Sequence, residues 1–132
     1  MTRIYLCAGP ALYISHESIT GRGVYAGEAI AGNSFIEYSL AWELSPDSVS
    51  AFEAIDEVGG YWFDHPHKEG WGLLPAGVAE ILNHSDTPNC RLDWKCDREI
   101  GYIGEIWTLA AIEKDEQLRI HYGIPLPDGW MP

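Results

Sequence analysis

The sequence predicts a mainly β fold of many short strands, with one or two short helices set into its middle. The chain of 132 residues holds 14 glycines and 8 prolines, a density that favours turns over a helical bundle. Runs of β-branched and aromatic residues recur at short intervals in its first and last thirds. A clear helix start stands in the middle, at Ser45-Pro46.

Taken in order, Arg3–Cys7 and Leu12–Ile14 read as strands, followed by a glycine turn at Gly21–Gly23. Gly23–Ala26 and Ser34–Leu40 read as the next two strands. Ser45 is a good N-cap and Pro46 suits the first helical position. Val49, Phe52 and Ile55 then recur at helical spacing, and Gly59-Gly60 ends a helix of about three turns. Tyr61–Asp64 reads as a short strand, and Pro75–Leu82 as two helical turns stopped by Asn83. Arg91–Lys95, Tyr102–Ile103, Ile106–Ile112 and Gln117–Tyr122 return to strand. Glu113-Lys114-Asp115-Glu116 makes a charged turn before the last of them. The proline-bearing end, Ile124–Pro132, suits neither helix nor central strand.

One domain is expected, spanning 1–132, with a distinct central segment at about 44–74 and a short tail at 123–132. The formal net charge is −12. It disfavours direct nucleic-acid binding and favours a basic protein or peptide partner. No apolar run approaches a membrane span, and the N-terminus lacks a signal-peptide core. Three scattered cysteines, Cys7, Cys90 and Cys96, make a poor disulfide framework and read as small core residues in a reducing compartment. The expectation is an intracellular chain, cytoplasmic or nuclear. Its oligomeric state is left open, a homodimer included.

Three segments could carry chemistry. Gly21-Arg22-Gly23-Val24-Tyr25-Ala26 matches a dinucleotide fingerprint as a string, but two glycines soon after it disfavour the helix that fingerprint needs. What survives is close backbone approach, to a ligand or to another chain segment. Asn83-His84-Ser85-Asp86-Thr87-Pro88-Asn89-Cys90 is turn chemistry around one histidine. Ala111–Gly123 is a strand, a charged turn and a strand ending in Tyr122. His65 and His67 form an H-x-H pair beside Asp64, which reads as a solvated loop rather than a metal site.

Together, and in this order, the three segments resemble a SET domain, the fold of S-adenosylmethionine-dependent protein-lysine methyltransferases. GRGVYAGEAIAGNSFIEYS is similar to the family's opening turn and strand pair, ILNHSDTPNC to its N-H-S-x-x-P-N motif, and TLAAIEKDEQLRIHYG to its closing segment. The resemblance implies a β-clip-like arrangement of small sheets around a knot-like C-terminal segment. Asp86 stands where the family often has a zinc-binding cysteine, and no cysteine follows Cys96, so no metal is expected. Asp115, Gln117 and His121 depart from the usual closing residues without being expected to touch the chemistry.

The resemblance also implies roles. S-adenosylmethionine would be the cofactor, and the lysine of a basic protein such as a histone the acceptor. Tyr122 would stand at the transfer site, with Tyr38 as a second channel tyrosine. Ile120 would border the substrate channel and favour higher methylation states. Gly21, Arg22, Gly23 and Tyr25, with Asn83 and His84, would hold the cofactor. Trp130 is expected to fold back over it, its broad apolar face suiting an adenine ring. A lysine must lose its proton before it can be methylated, since its pKa is about 10.4. An apolar channel and a neighbouring sulfonium both favour that loss. The alternative is a catalytically silent SET-like module that binds a basic peptide or the cofactor.

Overall fold

The computed structural model describes residues 3–6 and 9–122. In chain order its strands are β1 (Leu12–Glu17), β2 (Gly21–Ala26), β3 (Phe35–Leu44), β4 (Phe63–Asp64), β5 (Gly72–Pro75), β6 (Asn83–His84), β7 (Cys90–Asp97), β8 (Gly101–Thr108) and β9 (Gln117–Ile120). One α-helix, α1 (Pro46–Glu53), follows β3, and a single 3-10 turn spans Val78–Ile81. The mainly β expectation holds.

Two small sheets divide the strands. One has the order β1-β2-β9-β6, the other β4-β5-β3-β8-β7. All pairings between these strands are antiparallel except β6 with β9, where Asn83 lies beside Arg119 and His84 beside Ile120. That parallel pair brings the motif at 83–90 against the closing segment. The core between the sheets holds Val24, Ile30, Ile36, Leu82, Cys90, Ile106, Ile112, Leu118 and Ile120. Burial pushes the Cys90 thiol up to about 12, so it is a core residue without reactivity.

Several local expectations are corrected. Residues 3–6 are not in a strand. Gly21 opens β2 rather than a turn; the turn precedes it, at 18–20. The helix begins as predicted, with Ser45 Oγ accepting from the Ser48 N–H, but stops at Glu53. From there to Tyr61 the chain turns through bonds such as Val58 N–H to Ile55 O. Pro75 pairs with Ala41 in β5, which leaves four residues of the expected second helix as the 3-10 turn. Asn83 begins a strand instead of ending a helix. The two strands predicted around Gly104 are one, because Gly104 makes room for Trp94: a Cβ there would lie 2.9 Å from its ring. Cys96 is exposed rather than a core residue, and Cys7 lies outside the described residues. Among the described residues no helix is long and apolar enough to cross a membrane.

Candidate active site

The parallel β6–β9 pair is built to hold one tyrosine. Ser85 N–H donates to Ile120 O at 2.8 Å, extending the pairing past His84. Asn89 clamps β9 from outside: its Oδ1 accepts from Arg119 N–H and its Nδ2 donates to Gln117 O, both at 2.8 Å. The charged turn before β9 puts Asp115 in the left-handed region, φ 71°. A short acid tolerates that conformation better than most residues.

Beyond β9 the Tyr122 N–H donates to His84 Nδ1 at 2.9 Å, and His121 Nδ1 donates to Tyr122 O at 2.9 Å. The Tyr122 hydroxyl donates to Leu82 O. Burial, then Tyr61 and Glu80, push its pKa up, so the hydroxyl stays protonated. With its proton committed to Leu82, its oxygen is left to accept a hydrogen bond. The Tyr122 ring lies edge-on to Phe63, centroids 6.0 Å apart.

Beside this floor lies a hydrogen-bonded cluster centred on Gln117, only 7% exposed. Gln117 Oε1 accepts from Asn83 Nδ2 at 2.7 Å, and Gln117 Nε2 donates to the Tyr25 hydroxyl at 3.2 Å. Asn83 Nδ2 also donates to Arg22 O at 2.8 Å. Gly23 is small because of this cluster: a Cβ there would lie 2.7 Å from Gln117 Oε1 and 3.1 Å from Asn83 Nδ2. Gly21 differs, with φ +71° and open space around its Cβ position. The close approach expected of the glycines is thus, at Gly23, to another chain segment.

The floor opens into a cleft of about 880 Å³, whose lining includes Arg22, Tyr61, Phe63, Glu80, Trp94 and Tyr122. Such a volume suits a small-molecule cofactor together with a side chain. A continuous run of the lining comes from residues 60–67, whose Phe63 meets the Tyr122 ring. His65 there is buried rather than solvated. Its Nδ1 accepts from the N–H groups of His67 and Lys68, both at 3.0 Å. Nε2 therefore carries the ring proton and donates to Glu43 Oε2 at 3.1 Å. Lys68 Nζ reaches the same oxygen at 2.9 Å and holds the Glu43 carboxyl below its usual range.

Of the residues singled out from the sequence, Arg22, Asn83, Ile120 and Tyr122 line the cleft. Ile120 is also a core residue, 2% exposed. Gly23, Tyr25 and Asn83 meet at Gln117, and His84 positions the Tyr122 backbone. Tyr38 pairs with Glu105 across β3–β8. Its ring packs on Phe35 at 4.6 Å, and it is not among the residues lining the cleft. Trp130 lies outside the described residues.

Gln117, Glu80 and His65 were not given roles by the sequence. A polar residue heading β9 was the one available signal for Gln117; His65 stood out only as half of the H-x-H pair, and Glu80 gave none beyond its residue type. His84, Asp86 and His121 each bring a ligand atom within 4.8 Å of the others. Accepting the Tyr122 N–H leaves the neutral His84 ring protonated at Nε2, where it donates to Asp86 Oδ1 at 2.9 Å. The three read as a hydrogen-bonded cluster rather than a metal centre.

A family model described as the SET domain matches residues 21–123. Among solved structures, the chain is similar to a Plasmodium falciparum protein proposed to be a histone methyltransferase. Identity is 24% and the TM-score 0.70, over 89% of this chain and 97% of that one. It is also similar to the Chaetomium thermophilum Polycomb Repressive Complex 2 bound to GSK126, at 19% identity and a TM-score of 0.71, covering 92% of this chain and 17% of that one. The same complex in an autoinhibited conformation, bound to S-adenosylmethionine, gives 19% and 0.71, with 92% and 16% covered. At these identities the likeness shows the fold.

Proposed function

The chain belongs to the SET domain family, and on that premise we propose that it is a protein-lysine N-methyltransferase using S-adenosylmethionine. Its substrate would be a basic protein or peptide such as a histone. The observation that carries this reading is Tyr122, held at backbone and hydroxyl on the floor of an aromatic cleft. The structures named for histone methyltransferase activity or for bound S-adenosylmethionine support it.

The residues present fit the cofactor. Arg22 lines the cleft and makes no ion pair among the described residues, so its guanidinium is open to a carboxylate. Asn83 also lines the cleft, its Nδ2 donating to Arg22 O. When bound, the cofactor supplies a methyl group on a sulfonium. Tyr122, its own proton on Leu82 O, accepts a hydrogen bond from the lysine amine and orients its lone pair. Phe63, Tyr61 and Trp94 offer apolar surface to the lysine stem and exclude water. The net charge of −12 draws basic substrates toward the chain.

The test is incubation with S-adenosylmethionine and lysine-rich histone peptides, read by mass spectrometry. Mono-, di- or trimethylated product supports the reading, and raised salt should weaken apparent peptide affinity more than cofactor affinity. Cofactor or peptide binding without transfer would leave a silent binding module instead.

A further inference from the structure

Among the described residues lining the cleft, Glu80 is the one with a buried side-chain oxygen that no hydrogen bond satisfies. It sits in the 3-10 turn, and its Oε2 is buried with no hydrogen-bond partner among the described residues. A buried carboxylate oxygen without a partner is costly, and native structures rarely keep one without use. Its place is specific. A second hollow, about 410 Å³, is lined by Phe52, Val58, Leu74 and Pro75. Arg22, Tyr61, Glu80 and Ile81 line both it and the large cleft. Glu80 therefore stands in the partition where the two hollows meet, close enough to Tyr122 to raise its pKa.

The charged groups around it leave room for a cation. Of the strands packed on the turn, β2 brings Arg22 and β3 brings Glu37, whose Oε2 accepts from Val78 N–H at 2.6 Å. β5 brings no charged residue. Tyr61 and Tyr122 share the cleft lining with it, as do Asp64, His65, His67, Arg91 and His121. Glu57 borders the second hollow. Among the described residues no cation lies within ion-pair distance of Glu80.

We propose that Glu80 receives the ammonium of the substrate lysine at this partition and takes the proton it must lose before methyl transfer. The proposal rests on the methyltransferase reading and adds to it a residue with a stated role. One ammonium N–H bond breaks, its electron pair stays on nitrogen, and the proton forms the neutral acid of Glu80. The amine lone pair then makes the N–C bond as the C–S bond breaks, that bond's electrons remaining on sulfur. The product is a methylammonium and a neutral thioether, and Glu80 returns its proton to solvent through the cleft. Two positive charges enter and two leave, counting that proton. Burial has already pushed the Glu80 carboxyl from 4.5 to about 7, where a base can both take and release a proton near neutrality.

The experiment uses the full chain and its isosteric Glu80→Gln variant. S-adenosylmethionine affinity is measured by titration calorimetry, and kcat/KM for a lysine peptide is measured from about pH 6 to 10. Cofactor affinity should stay within about threefold. At pH 7 the variant's kcat/KM should fall about 100-fold, and the gap should close toward pH 10 as lysine loses its proton unaided. A loss equal at every pH, no loss at all, or cofactor affinity falling with the rate would overturn the proposal. In a second arm, peptide binding is measured with S-adenosylhomocysteine present, comparing lysine with norleucine, which has no charge. Wild type should prefer lysine and Glu80→Gln should not. This arm reads no turnover, so it decides on Glu80 even if the chain transfers no methyl group. The wild-type comparison also needs no variant to fold, and absence of a lysine preference there overturns the idea.

Discussion

The two sides of the cleft are held in different ways. The Tyr122 side is pinned by backbone pairing and by amide side chains: β6 on β9, Asn89 on both neighbours of Leu118, Asn83 on Gln117. None of those amides titrates. The lining run at residues 60–67 has only the two-residue β4 as regular structure. It hangs on His65, Glu43 and Lys68. The difference separates tasks. A reacting centre needs positions held to fractions of an ångström, which ladder bonds give. A wall that meets varied peptides can rest on side chains that adjust.

The sharpest way to break this contrast is at Asn89. Asn89→Ala strips a partner from the Arg119 N–H and from the Gln117 carbonyl together. With both left unpaired the loss should be about 3 kcal/mol in urea unfolding. A loss under about 1 kcal/mol would mean water replaces the clamp and the floor is not side-chain stitched. Next comes Tyr122→Phe, which keeps the ring against Phe63 and removes the hydroxyl bonded to Leu82. Turnover should drop on the order of 100-fold with cofactor affinity nearly kept. Unchanged turnover would take Tyr122 out of the mechanism.

Much of this floor was legible in the sequence, because its parts are local motifs with turn chemistry. Asn83-His84 and the Tyr122 ending could be paired before any coordinates, and the two segments do lie side by side. Ser45-Pro46 likewise announced α1. What failed depends on long-range packing. Gly104 looked like a strand break and is a berth for Trp94. His65 looked solvated because nothing local shows that Glu43, 22 residues earlier, comes to meet its ring. Glu80 carried no signal at all, since burial of one carboxyl oxygen is a property of the assembled cleft.

The run at 60–67 is tested at His65. His65→Ala orphans the N–H groups of His67 and Lys68 and takes one of two donors from Glu43, leaving it Lys68. The cost should be about 2 kcal/mol, less than at Asn89 because the loop beyond is exposed and water can reach it. In assays it should raise KM for peptide more than it lowers kcat. If kcat fell as far as in Tyr122→Phe, the two sides would not be separable and the contrast would fail.

The smallest effect expected is also the one that tells titrating from non-titrating supports. Burial raises the Glu80 carboxyl from 4.5 to about 7. Between those values the folded chain holds a proton that the unfolded chain has released. Stability from this group is therefore full below about 4.5 and is lost as pH rises through about 7. Glu80→Gln cannot titrate. Its stability relative to wild type should grow from pH 5 to pH 8 by on the order of 1 kcal/mol, the side chain being partly open to solvent. Asn89→Ala, by contrast, should show the same deficit at both values, since an amide has nothing to release. Urea midpoints at the two pH values measure both variants. A Glu80→Gln difference that stays flat would mean that water reaches Oε2, so burial would no longer explain the raised carboxyl.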